Sequence, residues 1–461
     1  MSGTERVAVY GAGGHTGGLV ARQLAERGFA PVLGGRDAEA LARAAERLRA
    51  AGPYDVETRP AAVDDPGALG RLADGCAAVV NCAGPFSGTA SAVARAAVAA
   101  GVHYVDTCAE PAVVRQLLAE MDAPARAAGV AVVPSMAFYC ALGDLLAHVA
   151  AGELGEVDEV LVAYAVEGWE LTPGSLRVVP EVGAQRFVVE GGTLRLYDRQ
   201  PGTFEFPFPE PVGPGEVVSP YPSADPVAIA RHVRARRVRA AMTTSTLQEV
   251  AASAGRPAGE PRRESSFTVV ARASRGETTV DATARGGDIY AISAPIVVEA
   301  VARLLDGPPR RGALAAGEAF PAAELLATLE HHGVRLDLPT PLLVARYGAA
   351  WNAHDLDRIM SFHTDDTVYR GYGPNQTGEP HTGRQAVREA FGALLAGVPD
   401  LRFELRTARG DGRHAVFESL VTGTSALRGP VAFRAIDLLL LEAGRIAAKH
   451  TYLAPGDTDL H

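Results

Sequence analysis

The sequence predicts an α/β protein: a doubly wound parallel sheet with an inserted α+β domain, followed by a C-terminal α+β cone-shaped barrel. Three observations carry that prediction. A strand-like run and a glycine cluster open the chain at VAVYGAGGHTGGLVARQL, Val7 to Leu24. Short apolar runs then alternate with helical segments to residue 145, the pattern of a parallel sheet covered by helices. Beyond residue 340 the texture changes again, to helices followed by long alternating strands.

Whole-chain properties bound the possibilities. A length of 461 residues exceeds one hydrophobic core and implies two or three domains. Apolar residues at 47% and charged residues at 21% are ordinary globular usage, which excludes a disordered chain. The net charge of -10 leaves no general basic face, so nucleic acid is not an expected partner. No apolar run reaches the length of a membrane span. MSGTER leads straight into a strand, which leaves no room for a signal peptide, so a cytoplasmic protein is expected. Cys76, Cys82, Cys108 and Cys140 lack CxxC spacing and read as small buried residues, not as a disulfide or zinc framework. His354, His363 and His381 lie on separate segments without ligand spacing, so no metal is expected. Arginine supplies every basic residue except Lys449, so no imine-forming lysine exists before that position.

The first elements form a nucleotide site. Gly11, Gly14 and Gly17 give a GxxGxxG spacing, Gly13 lies among them, and His15 and Thr16 lead into a helix through Leu19, Val20 and Leu24. Strand, glycine turn and helix in that order allow a tight bend, close backbone approach to a pyrophosphate, and a helix N-terminus facing its charge. The second strand is PVLGGRD, Pro31 to Asp37. An acidic residue about twenty positions after the glycines would bond a free ribose hydroxyl. Here Gly35 and Arg36 stand at the strand end, and a guanidinium pairs with a 2′-phosphate, so the expected cofactor is NADP(H). Asp37 caps the helix beginning at Ala38. Strands at Val56–Arg59, Ala77–Cys82, Val102–Thr107 and Val130–Pro134 follow, with helices at Ser91–Ala100 and Pro111–Ala128. Ligands in such sheets sit beyond the carboxyl ends of the strands, which puts the loops CAGPFSG and DTCAE beside the cofactor.

AVVNCAGPF, GVHYVDTCAE and ARGGDIYAISAPIVVEAVARLL resemble the saccharopine dehydrogenase-like NADP-binding oxidoreductases, over residues 5 to 330. The resemblance implies a Rossmann-type domain over 1–145 and places Gly84, Pro85 and Phe86 near the nicotinamide half of the cofactor. It also implies an α+β substrate domain over 146–285 and a helix within 286–330 that packs back onto the sheet, with Asp288 and Tyr290 facing the cleft. Relatives often carry an aspartate after the sixth strand. In SMAFYCALGD that place holds Tyr139, while Asp144 is retained. Tyr139 is either a proton donor beside the nicotinamide or a tyrosine packed at the strand–helix corner. Asp144 is either a site residue or a carboxylate complementing a helix start. The charged side chains that hold an amino acid in saccharopine reductases are not found, so a carbonyl or enone stands beside an imine as the reducible group.

In the middle third, EVLVAYAVEG, GTLRLYDR and SSFTVVARAS read as strands. YPSADPVAIARHVRARRVRAA reads as a helix starting after Asp225, its arginines on a solvated face.

Residues 331–340 read as a linker to a domain over 341–461. A helix through Trp351, a short helix, a strand near Thr367, a further helix and strand, and three strands ending in RIAAKHTYLA are expected. With NAHD, TGRQAV, PDLRFE and EAGRI as landmarks, this part resembles the SnoaL-like polyketide cyclases of the nuclear-transport-factor-two-like superfamily. Those enzymes use a carboxylate in an apolar cavity to move a proton next to a carbonyl, burial raising its pKa toward neutrality. Here Asp437 interrupts an apolar strand, sharing a face with Phe433, Ala435 and Leu439. A buried carboxylate needs a partner, and His450, Tyr452 and Glu418 are the candidates. The family's own aspartate lies near the end of the last strand, where this chain has no carboxylate before Asp457. A His450–Asp437 pair is one replacement for that base; a structural hydrogen bond is the other reading.

Three functions stay open. The chain is a bifunctional tailoring enzyme of specialised, polyketide-type metabolism acting on a small molecule, with hydride transfer coupled to a cyclase or isomerase. Alternatively the tail only joins two oxidoreductase units into a homodimer, or NADP(H) is structural and the tail does the only chemistry.

Overall fold

The computed structural model describes residues 4–182, 185–253, 264–307, 310–373, 376–410, 413–425, 429–442 and 444–455. Two compact units divide the chain, Met1–Leu336 and Asp337–His461.

The first unit contains a seven-stranded parallel sheet in the order Gly312–Ala313, Ala131–Val133, His103–Asp106, Ala78–Asn81, Arg6–Tyr10, Ala30–Gly35, Glu57–Pro60. Buried strands such as Arg6–Tyr10 and Ala78–Asn81 are nearly continuous apolar runs because helices cover both faces. The first strand is flanked by the second on one side and the fourth on the other. Strand order reverses there, and the crevice at such a reversal is where doubly wound sheets bind ligands.

A second, mixed sheet follows. Ala235–Thr243 runs parallel to Val157–Glu167, while Ser266–Arg275 and Thr278–Gly287 add antiparallel strands. Helix Ala141–Gly152 is apolar nearly all round, as expected for a helix buried within the unit.

Three sequence expectations change. The helix expected from Asp225 ends at Ile229, and the arginine run becomes the strand Ala235–Thr243. Pairing with Val157–Glu167 overrides the helical reading, with Arg237 and Arg239 both reaching Glu159. The helix expected over Pro111–Ala128 is two, Pro111–Glu120 and Asp122–Ala128. Pro124 has no N–H to continue the first helix. Within residues 331–340, Arg335–Asp337 is an edge strand of the second sheet.

The second unit is one sheet with helices Thr340–Asn352, Leu356–Ser361 and Arg384–Gly397. Its long strands run in the order His363–Gly373, Arg445–Pro455, Gly429–Glu442, His414–Ser425, Arg402–Gly410. Side chains alternate from Ala435 to Glu442, with Ala435, Asp437, Leu439 and Leu441 buried and Ile436, Leu438 and Leu440 exposed. Tyr347, Trp351, Phe391, Phe417, Leu439 and Ile446 belong to the core of this unit. No helix among the described residues is long and apolar enough to cross a membrane.

Candidate active site

The glycine loop joins strand Arg6–Tyr10 to helix His15–Glu26. Gly11 adopts φ +86°, a left-handed conformation that favours glycine. A Cβ on Gly17 would stand 2.3 Å from the Gly11 carbonyl oxygen, and one on Gly11 would stand 2.9 Å from Ala83. Gly13 has the same constraint more mildly, 3.1 Å from the Ala40 Cβ. Close packing of turn, helix and neighbouring loop therefore requires these glycines. Gly14 caps the helix without a side-chain bond, and no acidic residue occupies its first turn. The helix dipole there favours an anion.

Beyond Gly35 the Arg36 side chain is exposed, and the Asp37 carboxylate accepts the Ala40 N–H at 3.0 Å as the cap of the next helix. That division leaves the guanidinium for a ligand. Backbone, helix end and guanidinium together fit a phosphorylated dinucleotide. Gly11, Gly13, Gly14, His15, Thr16 and Gly17 would hold the pyrophosphate side, and Arg36 the 2′-phosphate.

The carboxyl ends of the neighbouring strands are tied down by buried carboxylates. Asp106 accepts the N–H groups of Ser135 at 2.7 Å and Cys108 at 2.9 Å, and the Tyr104 hydroxyl at 2.9 Å. Burial pushes its pKa up to about 6 against the lowering effect of those bonds. Glu110, also raised by burial, accepts the Phe86 N–H at 2.8 Å. The loop through Gly84, Pro85 and Phe86 is thereby anchored to the next strand's loop.

Ser135 and Cys140, at φ 61° and 74°, bound the tight loop that aims Tyr139. Around it lies an aromatic cluster: Tyr139 has ring centroids 5.4 Å from Trp169, 5.3 Å from Tyr164 and 6.4 Å from Tyr221. Its hydroxyl is buried. Burial first, then neighbouring Tyr221, Tyr290 and Asp225, hold its pKa well above that of an ordinary phenol. Tyr290 spans the space to the glycine loop, with its ring 5.6 Å from His15 and its hydroxyl 3.3 Å from the Trp169 indole nitrogen. Asp288 is a turn cap, accepting the N–H groups of Tyr290 and Ala291.

Behind the aromatic cluster lies Asp225, fully buried. It accepts the Tyr164 hydroxyl at 2.8 Å and is bonded by Ser223. Burial raises its pKa to about 8. A Cβ on Gly143 would stand 2.0 Å from this carboxylate, so helix Ala141–Gly152 approaches it only through a glycine. The adjacent Asp144 meets His232 Nε2 at 2.6 Å and accepts the Gly317 N–H at 2.8 Å. His232 Nδ1 lies 3.1 Å from His148 Nδ1, and both rings line a cavity of about 300 Å³.

In the second unit Asp437 is 1% exposed and forms an ion pair with Lys449 and a hydrogen bond with Thr451. The Lys449 nitrogen also lies 5.6 Å from the Tyr347 ring centroid and 5.3 Å from that of Phe417. Burial lowers the Lys449 pKa against the opposing charge of Asp437. His363 binds the Tyr347 hydroxyl through Nε2 at 3.0 Å and Thr367 through Nδ1 at 2.9 Å. Burial, with the charge of Lys449, pushes its pKa down to about 3, so the ring is neutral.

Residues 7–133 match the family model described as saccharopine dehydrogenase NADP binding domain, and residues 344–449 match that of the SnoaL-like domain. The chain joins a saccharopine dehydrogenase-type NADP-binding domain to a SnoaL-like domain. Among solved structures, saccharopine dehydrogenase (L-Glu forming) from Saccharomyces cerevisiae is similar in fold. The match has 12% identity and a TM-score of 0.50, over 72% of this chain and 99% of that one. A protein with a ketosteroid isomerase-like fold from Catenulispora acidiphila matches at 21% identity and TM-score 0.23, over 24% of this chain and 85% of that one. A cystatin-like fold protein from Xanthomonas campestris matches at 18% identity and TM-score 0.24, over 25% and 92%. No curated protein matches the chain.

Within the oxidoreductase unit the glycine loop, the Gly84–Phe86 turn and Tyr139 belong to connections at the carboxyl ends of one sheet, whereas Asp144 serves the His232 pair one helical turn away. Trp169 was absent from the sequence reading, and Asp225 entered it only as the residue before a helix; SADP gives no sign of burial. In the SnoaL-like domain the His450–Asp437 pair is corrected. Asp437 stands opposite Thr451 and Leu438 opposite His450, so His450 lies on the other face. Its ring centroid is 6.2 Å from that of Tyr372. Glu418 pairs with Arg434 instead, and Tyr452 stacks on Tyr372 at 4.8 Å. Asp457 lies outside the described residues.

Proposed function

We propose a two-activity enzyme of specialised, polyketide-type metabolism. The oxidoreductase unit reduces a carbonyl, enone or imine on an aromatic or otherwise apolar small molecule. The SnoaL-like domain then cyclises or isomerises the product. NADPH, when bound, supplies the hydride. Tyr139 provides the proton to the oxygen or carbon that hydride addition makes basic, and Tyr221, Tyr164 and Asp225 set the field around it. The observation that carries this reading is the chain of rings from His15 through Tyr290 and Trp169 to Tyr139, which joins the glycine loop to a buried hydroxyl. In the second unit Asp437 moves a proton next to a carbonyl.

The test is turnover of 4-deuterated NADPH with a panel of aryl ketones, aldehydes and enones, followed by mass analysis. Deuterium in a product supports the reading. Label that never leaves the nicotinamide, while a substrate is nonetheless cyclised, makes the cofactor structural.

One observation favours a second role for the tail. Val416, Ile436, Leu438, Leu440 and Tyr452 are between 38% and 49% exposed on one sheet face. An apolar strip of this kind suits a second copy of the chain, and a homodimer is proposed on that ground.

A further inference from the structure

We propose that Lys449 is an amine nucleophile that forms an imine with a carbonyl substrate inside the SnoaL-like domain, with Asp437 moving the protons. The proposal rests on the cyclase or isomerase reading of that domain and adds how the carbonyl is activated.

The first argument is one of residue choice. Arginine and lysine total 44 residues, of which Lys449 is the single lysine. Arginine is the better cation for a buried ion pair, being more weakly hydrated and able to donate two parallel bonds to a carboxylate. A cation whose whole duty was to neutralise Asp437 would be arginine in this chain, as it is at Glu159, Asp281 and Glu418. Lysine differs in the one respect that matters for chemistry: it can give up its proton and attack.

The second argument is the setting. The Lys449 side chain is 7% exposed and that of Asp437 1%, so the two charges are held together out of bulk water. Tyr347 from helix Thr340–Asn352, Phe417 from strand His414–Ser425 two places across the sheet, and Tyr369, cross-strand partner of Lys449, surround it with aromatic groups. The remaining titratable neighbour, His363, is neutral and engaged with Tyr347 and Thr367. Asp437 is in position to accept the ammonium proton, with Thr451 holding its orientation.

The steps balance without a further reagent. Lys449 passes a proton to Asp437, and its nitrogen lone pair adds to the carbonyl carbon while the C=O π pair moves to oxygen. Asp437 returns that proton to the oxygen and relays a second one from the nitrogen of the adduct, the oxygen leaves as water, and a protonated imine remains. That cation acidifies the neighbouring C–H, and the Asp437 carboxylate removes this proton to give an enamine. Reprotonation at another carbon, or attack of the enamine on a second carbonyl, gives isomerisation or ring closure. Water then releases the product and restores the amine.

The test uses the full-length protein, hexanal and sodium cyanoborohydride, with peptide mapping of the reduced adduct. A structural lysine is shielded by folding and reacts faster in urea. A nucleophilic one reacts faster in the folded chain, about tenfold at neutral pH for each unit by which folding lowers its pKa. The expected result is an adduct on Lys449 that forms faster in the native protein and is absent from Lys449→Arg, which keeps the positive charge. Modification of the α-amino group alone, with Lys449 reacting only after unfolding, overturns the proposal. In parallel, α-deuterium exchange into a ketone probe tests the underlying reading. Exchange that is lost in Asp437→Asn, without a Lys449 adduct, leaves proton transfer standing and removes the imine. Absence of both overturns the two together.

Discussion

The carboxylate of Asp144 stands 2.6 Å from Nε2 of His232, with the carboxylate fully buried and the ring nearly so. Burial disfavours the charged imidazole, but the charge and hydrogen bond of Asp144 outweigh it and raise the His232 pKa. A histidine raised on folding stabilises fully below its unfolded value of about 6.5, and that contribution fades as pH rises through the folded value. His148, lowered by burial and by the charge of His232, has the opposite sign and loses its contribution as pH falls. Asp144→Asn should therefore cost about 3 kcal/mol at mildly acid pH, where the pair is charged, and less as pH rises. Thermal melts across that range check it; a constant gap between the two proteins would be inconsistent with this pairing.

Arg36 is exposed at the end of the second strand, away from the cap made by Asp37. Arg36→Ala should weaken NADPH by about tenfold, or ~1.4 kcal/mol, and leave NADH unchanged. Calorimetric titration of both cofactors decides it, and equal losses for the two would remove the 2′-phosphate from the explanation.

Gly17 and Gly18 are adjacent but differ in room. A Cβ on Gly17 meets backbone at 2.3 Å, whereas the nearest atom to one on Gly18 is 4.0 Å away. Gly17→Ala should lose about 1–3 kcal/mol of stability and most nucleotide affinity. Gly18→Ala should stay close to wild type in melting temperature and titration. Similar behaviour of the two would mean the loop yields more than its packing suggests.

Tyr139→Phe should slow hydride transfer about 100-fold with NADPH affinity unchanged, since only a proton donor is removed. Asp225 behind it is protonated below about pH 8. Asp225→Asn copies the neutral acid, so the wild-type rate should change through that pH while the variant stays flat. A pH–rate profile with the same limb in both proteins would assign the titration elsewhere.

Ile436 and Leu438 project from the exposed face of the C-terminal sheet. Ile436→Lys should convert a dimer to a monomer in sedimentation, without loss of fold by circular dichroism. An unchanged sedimentation coefficient would rule this face out as the contact.

Local chemistry was legible in the sequence. The glycine turn, the Asp37 cap and the burial of Asp437 each follow from a handful of neighbouring residues. What was not legible depends on register. Alternation gives the neighbours of Asp437 on its own strand, but only the pairing with Thr451 decides that Lys449, and not His450, shares its face. A bulge at Leu440/Leu441 adds an irregularity that counting along the chain does not supply. The burial of Asp225 was missed for a similar reason, because Tyr164 and the glycine of a helix distant in sequence pack against it.

Strand Gly429–Glu442 sorts its duties by parity. Odd positions from Ala435 to Leu441 line the interior with the Asp437–Lys449 pair, and even positions form the outer strip. Substitutions on the two sets touch different surroundings, so the proposed reactivity and the proposed self-association should be separately tunable along a single segment. Insertion or deletion of one residue does the reverse: it exchanges the sets, sending a carboxylate outward and a leucine into its place. This strand should tolerate replacement far better than any change in its length.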